Sequence, residues 1–160
     1  MLLIRKKINL LLLLGLLFSG LSSCSTIYDE TQVLESGTWA QGQPYSFEFD
    51  IQDTKQLYDL FLEVEHGTTY PYQNLYCLVK TTMPDGSSRE EQASLELANA
   101  KGYWLGECSG EQCTRSIPFI IKTQFTVPGT YSIELKQHSR PETLGPIKQL
   151  RLFIRKTTSS

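Results

Sequence analysis

Four cysteines and two histidines are the residues of this chain best suited to covalent or acid–base chemistry. Cys24 has the most specific surroundings. It closes the run LLLLLGLLFSGLSSC, preceded directly by Leu21, Ser22 and Ser23. An aliphatic residue, two small residues and a cysteine form the pattern at which bacterial lipoproteins are processed. Small side chains let a peptidase grip extended backbone, and the thiolate attacks a diacylglycerol donor to form a thioether. Cys24 is therefore expected to carry lipid and to become the mature N-terminus. The competing reading is an ordinary signal peptide with a chance cysteine.

The other thiols suggest packing and cross-linking. Cys77 lies between Leu75 and Val79 on one face of an alternating stretch and is expected to be a buried thiol, packed as a small hydrophobe. Cys108 and Cys113 enclose the polar, glycine-containing loop Ser-Gly-Glu-Gln. A disulfide is expected there in an oxidising compartment, ahead of two free thiols. A metal site ranks third, because no other soft ligand lies nearby in sequence.

His66 and His138 sit at the ends of expected strands among polar neighbours, and both are expected to face solvent in structural roles. No H-x-x-x-H, C-x-x-C or G-x-S-x-G spacing accompanies them. Asp50 and Asp53 lack the spacing of a calcium loop and read as a strand end and turn. Trp39, Trp104 and the tyrosines could form a sugar-stacking platform, although core and edge packing explains such residues as well. A nucleophile, a base and an oxyanion site cannot be assembled from these residues. The expectation is a noncatalytic protein without metal or cofactor.

The elements that must position these residues fall into three stretches. Arg5, Lys6 and Lys7 precede an apolar run from Ile8 to Leu21, only 14 residues long, where a membrane span needs about 20. Residues 1–23 therefore read as a signal peptide. Ser25 to Gln43 is mostly polar and ends at Pro44; residues 24–43 are expected to be a lipid-anchored tether, with a short strand near Trp39. A tether of about 15 residues would reach roughly 20 Å. From residue 44 to 160 a two-residue period dominates. Tyr45, Phe47, Phe49 and Ile51 alternate with polar residues, and Tyr58, Leu60, Leu62 and Val64 repeat the pattern. Further strands are expected over 74–82, 92–97, 103–106, 117–125, 131–136 and 149–155. "MPDGSS" supplies a hairpin turn through Pro84 and Asp85-Gly86. Seven or eight strands with one wet face predict an all-β, antiparallel β-sandwich.

Composition bounds the partners. Without the leader the chain has 160 − 23 = 137 residues, the size of one domain. Three of its 15 basic residues leave with the leader, so 12 face 17 acidic residues, a net charge of −5. No basic run remains, and a nucleic-acid partner is not expected.

Several ordered motifs go further: Asp53-Thr-Lys-Gln, Tyr70-Pro-Tyr-Gln-Asn-Leu, Pro84-Asp-Gly, Trp104-Leu-Gly, Ile117-Pro-Phe and Pro128-Gly-Thr-Tyr. Together, over about residues 39 to 156, they resemble the gliding motility lipoprotein GldH family of Bacteroidetes. The resemblance implies a lipid-anchored accessory protein of the gliding machinery, linked to protein secretion, with other envelope proteins as partners. The cysteine pair in "ECSGEQC" departs from the family pattern and reads as local stabilisation. Physically the motifs look like scaffold. Tyr131, after Pro128-Gly129, matches a tyrosine corner, in which the hydroxyl bonds back to nearby backbone. Tyr70, Pro71 and Tyr72 form the first candidate for an exposed partner loop, against a rigid aromatic turn capping the sandwich. A surface carbohydrate-binding β-sandwich would share fold and anchor, and should present a row of exposed aromatics.

Overall fold

The computed structural model describes residues 26–157. The expected signal peptide over 1–23 and the expected lipid site at Cys24 lie outside the described residues. Eleven strands follow in order: β1 (Thr26–Val33), β2 (Trp39–Ala40), β3 (Pro44–Ile51), β4 (Leu57–Gly67), β5 (Asn74–Thr82), β6 (Ser88–Glu96), β7 (Glu107–Ser109), β8 (Gln112–Gln124), β9 (Gly129–Gln137), β10 (Thr143–Leu144) and β11 (Ile147–Lys156). Eight of these are long, and β2, β7 and β10 are short. One sheet runs β1-β11-β4-β8-β7, the other β3-β9-β5-β6, and β10-β2 forms a small ribbon. Every pairing is antiparallel. The antiparallel β-sandwich expected from the two-residue period is the fold observed.

Alternation explains the core. In β3, Tyr45, Phe47, Phe49 and Ile51 are buried and the residues between them are exposed. β4 sends Tyr58, Leu60, Leu62 and Val64 inward. They meet Leu75, Cys77, Val79, Ile133, Leu135, Leu150, Leu152 and Ile154 from the other strands. Aromatic rings close the cavity at one end, where Phe49 stacks on Tyr131 with centroids 5.9 Å apart and Phe125 contacts both. The Tyr131 hydroxyl donates to the Val127 carbonyl at 2.8 Å, the tyrosine corner. The turn at Pro84-Asp-Gly joins β5 to β6. Gly86 adopts φ 84°, and the Met83 and Gly86 backbones close the turn.

The tether expected from residue 24 to 43 is corrected by the structure from Thr26 onward. β1 pairs along its length with β11 as an edge strand of the five-stranded sheet. Its inward positions are Thr26, Tyr28, Glu30 and Gln32, all half-buried. An edge strand needs only a half-buried inner row, so the polar side chains there conceal it from a hydrophobic-period reading. Arg151 on β11 fixes the pairing. Its guanidinium donates twice to the Asp29 carboxylate at 2.6 Å and once to Glu63 on β4 at 3.2 Å. This geometry is the two-pronged one that suits arginine and carboxylate.

The sandwich therefore has two distinct ends. Thr26 pairs with Arg155, Lys156 with Tyr58, and Ile51 with Gly129. These strand ends share one end with the 83–87 and 125–128 loops, the proximal end. At the distal end lie the β4–β5 loop, the Ala98–Trp104 segment, the β7–β8 hairpin and the β9–β10 loop.

Candidate functional site

The distal end gathers most of the residues with binding chemistry. The β4–β5 loop carries Tyr70, Pro71 and Tyr72, and its backbone is held from three sides. Gly67 N–H donates to the Pro146 carbonyl, Thr68 N–H to Glu111, and the Gln73 carbonyl accepts from Leu97 and Ala98. Tyr70 and Tyr72 then play opposite parts. Tyr70 is 3% exposed, its hydroxyl donating to the Asn74 carbonyl at 3.4 Å. Tyr72 is 44% exposed, its ring set edge-on against Tyr70 at 5.7 Å. Of the expected exposed loop, Tyr70 is thus an internal pin and Tyr72 with Pro71 the surface. Tyr70 points inward because the loop wraps over the end of the core, leaving a gap that only a large ring fills.

Beneath Tyr70 lies His66, and here the expectation of a solvent-facing ring is corrected. His66 is wholly buried. It continues the inward row of β4 from Val64 by two residues, and Trp104 and Tyr70 lie over it with centroids at 4.5 and 5.9 Å. Nδ1–H donates to the Gly67 carbonyl at 3.0 Å, while Nε2 has no partner. Burial pushes the imidazole below its usual pKa and outweighs that hydrogen bond. The ring is a neutral aromatic filler.

His138, by contrast, is exposed and belongs to a cleft of about 730 Å³ lined by Tyr72, Asn74, Tyr76, Gln92, His138 and Arg140 among others. Clefts of this size accommodate small ligands or a short segment of a partner. Tyr76 is 48% exposed, so two tyrosine faces border the cleft. The β9–β10 loop that carries His138 and Arg140 is set by Gln137, a buried amide whose bonds stay inside that loop. Its Nε2 donates to the Pro141 and Glu142 carbonyls at 3.2 and 3.4 Å, and its Oε1 accepts from Ser139 N–H at 2.9 Å. Tyr76 is tied in by its carbonyl, which accepts from His138 N–H at 2.7 Å. A second, smaller hollow of about 280 Å³ lies on the other side of Tyr72, between it and Trp104. Tyr72 is legible in the sequence as a loop residue, whereas Tyr76, Gln92 and Arg140 are not. No spacing could have found them, since they come from three separate strands or loops.

Such a site offers ring faces, amides and a guanidinium, groups that hold a ligand by stacking and hydrogen bonding. Cys108 and Cys113 face each other across the β7–β8 hairpin and are bonded, with Cα atoms 4.0 Å apart. Gly106, just before β7, passes so close to the Thr114 carbonyl that a Cβ would collide with backbone. Cys77 is buried and free, and burial pushes its thiol up to about 12. Asp53 accepts from the Lys55 N–H in a turn. No group of potential metal ligands occurs among the described residues.

An antiparallel sandwich with a rigid core and its binding groups gathered on loops at one end defines a β-sandwich surface-site domain. The chain belongs to the GldH lipoprotein family, whose model matches residues 26–152. It is 26% identical over 121 residues to the gliding motility lipoprotein GldH homolog of Christiangramia forsetii, covering 74% of each chain. It is also 26% identical over 137 residues to the gliding motility lipoprotein GldH of Flavobacterium johnsoniae, covering 84% of this chain and 82% of that one. Among solved structures, the Yersinia pseudotuberculosis-derived mitogen is 10% identical with a TM-score of 0.36, covering 83% of this chain and 89% of its own. A likeness at that score carries no argument about function.

Proposed function

We propose that this protein is a lipid-anchored, noncatalytic accessory component of the gliding motility machinery, linked to protein secretion across the envelope. The observation that carries the reading is the family match over residues 26–152, with two relatives that are named gliding motility lipoproteins. Cys24 and its Leu21-Ser22-Ser23 approach supply the anchor. The distal cleft supplies a contact for another envelope protein, with Tyr72 and Tyr76 as its exposed rings. Confinement to a membrane raises the effective concentration of membrane-bound partners, so a contact of modest area suffices.

Deletion of the gene, followed by surface-motility and secretion assays, tests this directly. Loss of gliding, or of secretion in a host that does not glide, supports it. Intact motility and secretion, together with turnover of a substrate by the domain, would sink it. A second reading is favoured by one observation, the exposed Tyr72 and Tyr76 beside Gln92 and Arg140, which suit a carbohydrate. Saturable binding on a glycan array, lost in Tyr72→Ala, would establish that alternative.

A further inference from the structure

The large exposed hydrophobic side chains are divided between the ends by chemical type. Among the described residues Ile27, Leu57, Met83, Ile121 and Val127 lie at or near the proximal end, whereas Tyr72, Tyr76 and Tyr103 lie at the distal end. Val33, on β1 at its distal terminus, is the one aliphatic exception. Aliphatic side chains partition into hydrocarbon, whereas tyrosine rings suit both wet contacts with polar ligands and membrane interfaces. Side-chain type alone therefore does not choose the end, and the point of chain entry decides.

The proximal end is also where the chain enters the fold. Thr26 is the first residue of β1, two positions after Cys24. Two residues span at most about 7 Å even when fully extended. A lipid on Cys24 therefore leaves no room for the domain to stand away from the bilayer. Exposed charges at this end nearly balance, with Lys55, Lys122, Arg155 and Lys156 against Asp50, Asp53 and Asp85. Such a mixture does not select a strongly anionic surface but suits headgroups that carry both signs.

We propose that the proximal end of the sandwich rests on the bilayer that holds the lipid, with Val127, Met83 and their aliphatic neighbours dipping among the headgroups. Seating of this kind points the distal cleft away from the membrane and fixes its height at about one strand length, on the order of 30 Å for β4 at 3.3 Å per residue. The inference rests on lipidation at Cys24 and adds the orientation that lipidation alone does not give.

The test uses the full, processed protein reconstituted into vesicles of phosphatidylethanolamine with a minor share of phosphatidylglycerol. Spin labels are placed singly at Val127→Cys, Met83→Cys and Tyr103→Cys, all exposed positions, and each variant is checked by thermal melting. Collision with oxygen, which concentrates in lipid, is compared with collision with a water-soluble nickel chelate. The ratio is expected to be several-fold higher at positions 127 and 83 than at 103. Equal ratios at both ends, on protein whose N-terminal mass shows acylated Cys24, would overturn the seating and restore a mobile tether. An unmodified Cys24 in the same mass spectrum would overturn the anchor, and the seating with it.

Discussion

At the scale of single residues, two buried groups make opposite statements about protons. Cys77 carries a thiol pushed up to about 12 by burial alone, so at neutral pH it is protonated and sealed. Iodoacetamide is expected to leave Cys77 untouched in the folded protein at pH 8 and to label it fully in denaturant; labelling without unfolding would contradict its burial. Replacing Cys77 with Ala removes one sulfur from a packed core and should cost about 1 kcal/mol, read from the urea midpoint. His66 acts in the other direction. Its folded pKa lies below the ordinary value of 6.5 because burial disfavours the imidazolium. Below 6.5 the unfolded chain therefore binds a proton that the folded one refuses. The stability held above pH 6.5 is lost as pH falls through that value toward the folded pKa, at up to about 1.4 kcal/mol per pH unit. Urea midpoints at pH 7.5 and 5.5 should show the fall, and His66→Gln should flatten it. Asp29, held below its usual pKa chiefly by its hydrogen bond to Arg151, contributes a separate loss confined to pH below about 3.8. A slope between pH 7.5 and 5.5 unchanged in His66→Gln would assign the titration elsewhere.

Among the elements, β1 and the β7–β8 hairpin are the ones whose removal is most informative. A chain beginning at Leu34 keeps the buried Leu34 and Trp39 but lacks the Asp29–Arg151 pair and the Tyr28 ring, which lies 5.6 Å from Phe49. It should lose roughly 3 kcal/mol, on the order of 10 °C in Tm for a domain of this size, whereas a chain beginning at Thr26 should melt like the parent. Equal melting temperatures would return residues 26–33 to the status of a tether. Reducing Cys108–Cys113 releases a short loop and should lower stability by about 2 kcal/mol in the chain-entropy model; differential scanning calorimetry with and without reductant reads this, and an unchanged Tm would make the bond inert. These two elements also show what the sequence could and could not reveal. β3 and β5 were legible almost to the residue, because a row buried on one side and wet on the other writes itself as strict alternation. β1 was not, because its inner row is polar. His66 was misjudged although it continues the β4 alternation by one more step, since its polar neighbours at the strand end outweighed the period. The cleft was invisible for a deeper reason: its lining meets only when β5, β6 and the β9–β10 loop converge.

On the scale of the whole molecule, the two ends differ in what they expose. The proximal end closes over Phe49, Phe125 and Tyr131 and holds Thr26, where β1 begins. The distal end carries the cleft, fixed by Gln137 and by the backbone bonds of the β4–β5 loop. Arg140→Ala and Tyr72→Ala should leave the melting temperature within about 1 °C, because both groups are surface side chains outside the packed core. If the cleft is the partner contact, the same variants should weaken crosslinking to envelope proteins in cells; full crosslinking in both would move the contact elsewhere.

One feature of β1 has a mechanical side. It runs from the proximal to the distal end in seven paired positions against β11, and its first residue lies two positions after Cys24 in sequence. With a lipid on Cys24 and a partner on the distal loops, as proposed, drag on those loops pulls against the membrane along the strand axis. Ladder hydrogen bonds stand perpendicular to that axis, so the load falls on the whole β1–β11 ladder at once, in shear. The same strand tugged sideways would open like a zipper, one bond after another. In that arrangement an edge strand parallel to the line of tension, the weakest kind of strand, becomes the tensile element.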